Sequence, residues 1–169
     1  MPRIAFDDLP DHGRLWIFPA TRDLSEAEAE TCLGAVDDFL AQWRAHGAPL
    51  RSGRELRERR FLLVGVDEDA EAPSGCSIDA LVNRLRGLGA ELEVGLIDHA
   101  PVWFREDGEV RSVPRAEFRE LAAEGRVDSG VAVVDTTLTS IRRLREGDLE
   151  RPAAETWHAR AFFKGQATG

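Results

Sequence analysis

The stretch FLLVGVDEDAEAPSGCSIDALVNRL, residues 61–85, changes character twice. Residues 61–66 form an unbroken apolar run of strand length, which suits a strand covered on both faces, so it reads as the central member of a sheet. Asp67-Glu68-Asp69-Ala70-Glu71 then forms an acidic approach. From Ser77 onward Ile78, Leu81, Val82, Leu85 and Leu88 recur at three- and four-residue spacing, predicting an amphipathic helix that ends at Gly87 to Gly89. Between acid and helix, Ser74-Gly75-Cys76-Ser77-Ile78-Asp79 sets a thiol, hydroxyls and a carboxylate beside a glycine.

Toward the N-terminus, Leu56 and its polar neighbours supply a hairpin partner for the central strand, joined by a turn that lacks glycine or asparagine. Ser25-Glu26-Ala27-Glu28 has capping-box spacing and opens a helix with Leu33, Val36, Leu40 and Trp43 on one face. That helix is expected to stop at His46-Gly47, the glycine left-handed and Pro49 beyond it. Leu15-Trp16-Ile17-Phe18 reads as the first strand, closed by Pro19.

Toward the C-terminus, residues 92–97 and 102–104 read as strands, and Glu106-Asp107-Gly108 as a hairpin turn leading to Val110 and Val113. Pro114 opens a further helix through Phe118 and Leu121, residues 131–134 supply a strand, 141–145 a helical turn, and 153–163 a terminal helix or an arm over the core. The order strand, helix, strand, strand, helix, strand is that of the ferredoxin-like βαββαβ unit. The expected fold is therefore α+β, a largely antiparallel sheet with helices on one face and an appended hairpin, helix and strand. A doubly wound parallel sheet would need more regular alternation. The 169 residues are read as one domain, with 1–13 and 164–169 loosely ordered.

A net charge of -9 disfavours general nucleic-acid binding and anionic membranes, and no apolar run is long enough to span a bilayer, so no membrane insertion is expected. The acidic first residues, broken by Pro10 and Gly13, lack the features of a signal peptide, and a cytoplasmic location follows as the expectation. Lys164 is the single lysine, Asn83 the single asparagine, and tyrosine is absent. That joint scarcity marks a GC-rich genome, so the abundant arginine carries little functional weight.

Two cysteines far apart give neither a CxxC pattern nor a disulfide framework. Cys32, on an apolar helix face, reads as a buried hydrophobe. Cys76 could be a nucleophile favoured by a helix N-terminus, with His46 as base and Asp79 in support. The plainer reading makes Gly75 the turn, packs Cys76 inward, lets Ser77 cap the helix and sets Asp79 at its positive end. Gly75 and Ser77 are also candidates for holding an anion through backbone amides, and Asp67 and Trp157 for contacting a ligand. An EF-hand starting at Asp67 fails at Ala72 and Ile78. His12, His99 and His158 show no HxH or HExxH spacing, and neither GxxxxGK[ST] nor GxGxxG occurs, so no metal and no cofactor is expected.

The combination Trp43-Arg44-Ala45-His46-Gly47, Asp67-Glu68, Ser74-Gly75-Cys76-Ser77-Ile78-Asp79 and Trp157-His158 resembles a family of small bacterial proteins of unknown function. The resemblance runs from about Trp16 to Trp157, with SGCSID its most specific part. Members often carry the label "ABC transporter ATPase", which this sequence does not support, because no Walker lysine loop is present. The expected function is a non-catalytic module that binds a protein or small-molecule ligand near the SGCSID turn. The alternative is a thiol-dependent enzyme of acyl-transfer or hydrolase type, with Cys76 as nucleophile and His46 as base.

Overall fold

A computed structural model describes residues 3–164. The first half of the chain forms β1 (Arg14–Pro19), α1 (Glu26–Gln42), the two-residue strands β2 (Arg44–Ala45) and β3 (Ala48–Pro49), β4 (Arg51–Arg57), β5 (Phe61–Asp67) and α2 (Gly75–Leu92). The apolar run is the middle strand: β5 lies between β1 and β4 and is antiparallel to both. Successive strand residues point to opposite faces, so a run without polar members needs cover on both sides. Leu62, Val64 and Val66 lie under α1 and α2 with Val36, Leu40 and Leu81, while Phe61 and Leu63 join Leu15 and Ile17 on the other face. The Ser25–Glu28 capping box forms as its spacing predicts.

The second half forms β6 (Val102–Glu106), β7 (Glu109–Val113), α3 (Arg115–Ala123), β8 (Ala132–Val134), α4 (Ile141–Arg145), β9 (Glu150–Pro152) and α5 (His158–Phe162). Its strands make a second antiparallel sheet in the order β7-β6-β8-β9. Trp103 and Val134 face the first sheet and fill a shared middle core with Phe6, Leu9, Ile141 and Leu144. Val102, Phe104 and Val133 face away, onto Phe118, Leu121 and Phe163.

The α+β class and the antiparallel pairing are as expected, and α1 and α2 cover one face of the first sheet. What covers its other face is the second sheet, into which the hairpin, helix and strand appended in sequence are gathered. The order β1-β5-β4 is that of a split βαβ unit, but residues 92–97 do not form the closing strand. The reason lies at the end of α2, which runs through both glycines to Leu92 and stops at Glu93 with φ 56°. Gly89 permits this, because a Cβ there would lie 2.6 Å from the Val94 carbonyl. The edge of β1 is then shared by two loops: Thr21 N–H donates to Gly95 O at 3.1 Å, and Leu15 N–H to Thr139 O at 3.0 Å.

Of residues 1–13, expected to be loose, 1–2 lie outside the described residues and 3–13 pack against the first sheet and the middle core. Phe6 and Leu9 are buried, and Ile4 N–H donates to Ser52 O at 2.7 Å across Gly53, where a Cβ would come within 2.8 Å of Ile4 O. At the other end Lys164 is exposed, and the rest of the segment expected to be loose, 165–169, lies outside the described residues. The glycine-free turn between β4 and β5 spans Glu58, Arg59 and Arg60 and puts both Glu58 (φ 55°) and Arg59 (φ 50°) in the left-handed region, with Arg60 N–H donating to Arg57 O at 2.9 Å. Asp107 and Gly108 do the same between β6 and β7.

Arg60, the last residue of the β4–β5 turn, is buried and ties the two sheets together. Its guanidinium donates to Ala20 O, Thr21 O, Val110 O and Ser112 Oγ and pairs with Asp23. Trp103 Nε1 donates to the same Ala20 carbonyl at 2.9 Å.

Candidate functional site

α1 ends earlier than its glycine suggests. Trp43 leaves the helix in an extended conformation, and its carbonyl accepts from Leu50 N–H at 2.9 Å, which folds the intervening residues into the β2–β3 ladder. His46 and Gly47 are the tip of that ladder, with φ 53° and 77°. The glycine is left-handed as expected, but His46 stands exposed on a hairpin tip instead of against the last helical carbonyls. A two-residue hairpin turn and a helix stop both call for positive φ, so the dipeptide alone does not distinguish them.

The start of α2 also differs by three residues from its expected position. Ser74 is the N-cap: its Oγ accepts from Ser77 N–H at 3.1 Å, and Ser77 Oγ accepts from Ser74 N–H at 2.7 Å, a reciprocal box with serine in the place usually held by glutamate. Gly75 is therefore the first helical residue, Ser77 is buried in the first turn, and Cys76 is exposed instead of packed inward. The helical register explains this. Ser77, Leu81, Leu85 and Leu88 form the buried stripe, and Cys76, Ala80 and Arg84 form the neighbouring stripe, turned toward the end of α1.

Trp43 joins the two segments. Its buried indole donates from Nε1 to Ser77 O at 2.8 Å and sits edge-on to Trp16 at 5.8 Å between centroids. The result is a cleft of about 610 Å³. One wall is the last two turns of α1, with Ala35, Asp38, Phe39 and Gln42; the hairpin contributes Arg44 and His46; the α2 stripe with Ser74 and Ser77 closes the other side.

Of the seven residues singled out from sequence, His46, Cys76 and Ser77 line this cleft, and Gly75 adjoins it in the first turn of α2. No hydrogen bond joins Cys76 to His46 among the described residues. Asp79 is exposed and is not part of the lining. Asp67, at the end of β5, pairs with Arg51 at 3.4 Å, and its carboxylate comes together with His12 and Asp69. One ligand atom from each of those three residues lies within 4.8 Å of the others, and His12 Nε2 is 2.7 Å from Asp69 Oδ2. This is the one grouping among the described residues with metal-ligand chemistry, and the histidine spacing in sequence gave no sign of it. Trp157 belongs to the second-sheet side, stacked on His158 at 3.8 Å with the Arg115 guanidinium 4.9 Å from its ring.

The two thiols have opposite environments. Cys32 is fully buried on the inner face of α1, where loss of solvation pushes its thiol up to about 11. Cys76 is exposed in the cleft. Phe39, Arg44 and Arg84 are cleft residues that sequence reasoning did not single out. The four-residue step from Cys76 through Ala80 to Arg84 was the signal that could have found one of them.

The chain matches no family model, no curated protein and no solved structure. No helix among the described residues is long and apolar enough to cross a membrane.

Proposed function

We propose that the chain is a cytoplasmic, non-catalytic module whose cleft binds a small ligand or a short protein segment. We read its first layer as a ferredoxin-like unit without the closing strand, and the chain as a member of the uncharacterised bacterial family defined by W-x-x-H-G and S-G-C-S-I-D. The observation that carries the binding reading is convergence: Trp43 to Gly47 and Ser74 to Ser77 are about thirty residues apart in sequence, yet they meet at one cleft through the Trp43–Ser77 bond. A concave site with an aromatic wall and a few polar groups is the usual form of a small-ligand pocket. Ala80 is exposed on the cleft wall, so Ala80→Phe should fill the cleft without burdening the core. In a thermal-shift ligand screen, compounds that raise the melting temperature of the wild type should have no effect on Ala80→Phe. Hits that stabilise both proteins equally would overturn the assignment to this cleft.

A second reading is favoured by one specific observation, the exposure of Cys76 in the same cleft as His46. In an acyl-transfer or hydrolase reaction the Cys76 sulfur would attack the acyl carbon after giving its proton to His46, the departing group would take that proton, and water would release the acid. That reading requires a thiol that reacts faster than a free cysteine near neutral pH and that slows in His46→Ala. The non-catalytic reading expects iodoacetamide to modify Cys76 at the rate of an ordinary exposed thiol, with no dependence on His46 and with Cys32 unmodified. A Cys76-dependent turnover would overturn it.

A further inference from the structure

We propose that the cleft selects a small monocarboxylate carrying a short apolar body; this rests on the binding reading above and specifies its ligand. The chain carries a net charge of -9, so most of its surface repels anions. The cleft is a local exception. Arg44 and Arg84 line it beside a single lining acid, Asp38, and with Glu91 near Arg84 the local charge is balanced where the chain as a whole is strongly acidic.

Neither guanidinium is saturated by the protein. Arg44 makes one long bond, 3.4 Å, to Gly47 O, and Arg84 approaches Glu91 only to 3.8 Å. A planar guanidinium with free N–H groups matches a carboxylate in bidentate fashion. The amides of Gly75 and Cys76, which have no protein acceptor among the described residues, add donors in the first turn of α2, about two turns from Arg84. The α1 wall contributes the half-buried ring of Phe39, and Ala80 lies between Cys76 and Arg84 on the α2 wall, so a few methylene groups have apolar contact area between them. With Asp38 in the lining and Glu91 beside Arg84, a monoanion meets less repulsion than a phosphate dianion. The pairing is therefore a carboxylate on a free guanidinium and a carbon chain against Phe39 and Ala80.

The test is an amide-resolved NMR titration of the full chain at constant ionic strength with acetate, butanoate, hexanoate, hexanamide and inorganic phosphate. The expected result is saturable shifts at Gly75, Cys76 and Ala80, affinity rising from acetate to hexanoate, and hexanamide and phosphate each at least about tenfold weaker than hexanoate. Arg84→Gln and Arg44→Gln should each weaken hexanoate several-fold while leaving hexanamide unchanged and the spectrum otherwise native. Hexanamide binding as tightly as hexanoate would overturn the carboxylate inference and leave the binding reading standing, as would a preference for phosphate. Shifts that stay linear for every probe would overturn the inference too, and the Ala80→Phe screen then decides the binding reading separately.

Discussion

Arg60→Met should destabilise the protein by about 3 kcal/mol or more, the largest loss expected from any single charged residue described above. The guanidinium is buried and all five of its N–H groups have acceptors: Nε reaches Ala20 O, one terminal nitrogen Asp23 and Val110 O, the other Thr21 O and Ser112 Oγ. Asp23 is largely exposed, so the ion pair contributes little, and the carbonyl bonds dominate. Removing the fork leaves Val110 O without its donor and reduces the link between the end of β1 and β7 to the Ser112–Thr21 bond. Ala20 O and Thr21 O keep donors in Trp103 and Ser112, which limits the damage there. Arg60→Lys retains the charge but cannot reproduce the planar set of donors, so it should recover only part of the loss. Urea unfolding measures both variants; a methionine variant within about 0.5 kcal/mol of wild type would show that the clasp contributes no net stability.

The second large effect is expected on acidification, through His158. Its ring is buried beside Thr156, whose Oγ1 lies 2.7 Å from Nδ1, and loss of solvation holds its pKa down at about 4 against an ordinary 6.5. Arg115 pushes the same way, and Asp135 opposes. Because the folded-state pKa is depressed, the unfolded chain binds the proton more readily. This contribution is complete above pH 6.5 and is lost as pH falls toward 4, approaching about 3 kcal/mol. Many carboxylates also titrate in acid, so the relevant quantity is the difference between wild type and His158→Asn. Between pH 7 and pH 4.5 the wild type should lose more stability than the variant. Equal losses would mean that the ring is solvated enough to protonate in place.

Local signals account for much of the first layer. The unbroken apolar run of β5 demanded cover on both faces, and Ser25 with Glu28, and Asp107 with Gly108, carried their cap and turn chemistry in adjacent residues. Residues 102–104, Val-Trp-Phe, carried a further signal of the same kind: three successive apolar positions imply cover on both faces of β6 and hence a second layer, although nothing local says that β8 is the neighbour. β9, Glu-Arg-Pro, is a short edge strand with neither alternation nor β-branched residues, and only its pairing to β8 defines it. Ser74 and Ser77 both have capping chemistry, and the choice depends on which register turns Leu81, Leu85 and Leu88 inward. The cleft was half legible. Both motifs were visible, but what joins them is a tertiary bond from Trp43 to Ser77, and that bond has no signature in either segment.

Every residue lining the cleft falls between positions 35 and 84, whereas the second sheet is built wholly after position 100. The pocket is thus heritable as one uninterrupted block of chain. Changes in the later strands reach it through the middle core and the Arg60 clasp, neither of which lines it.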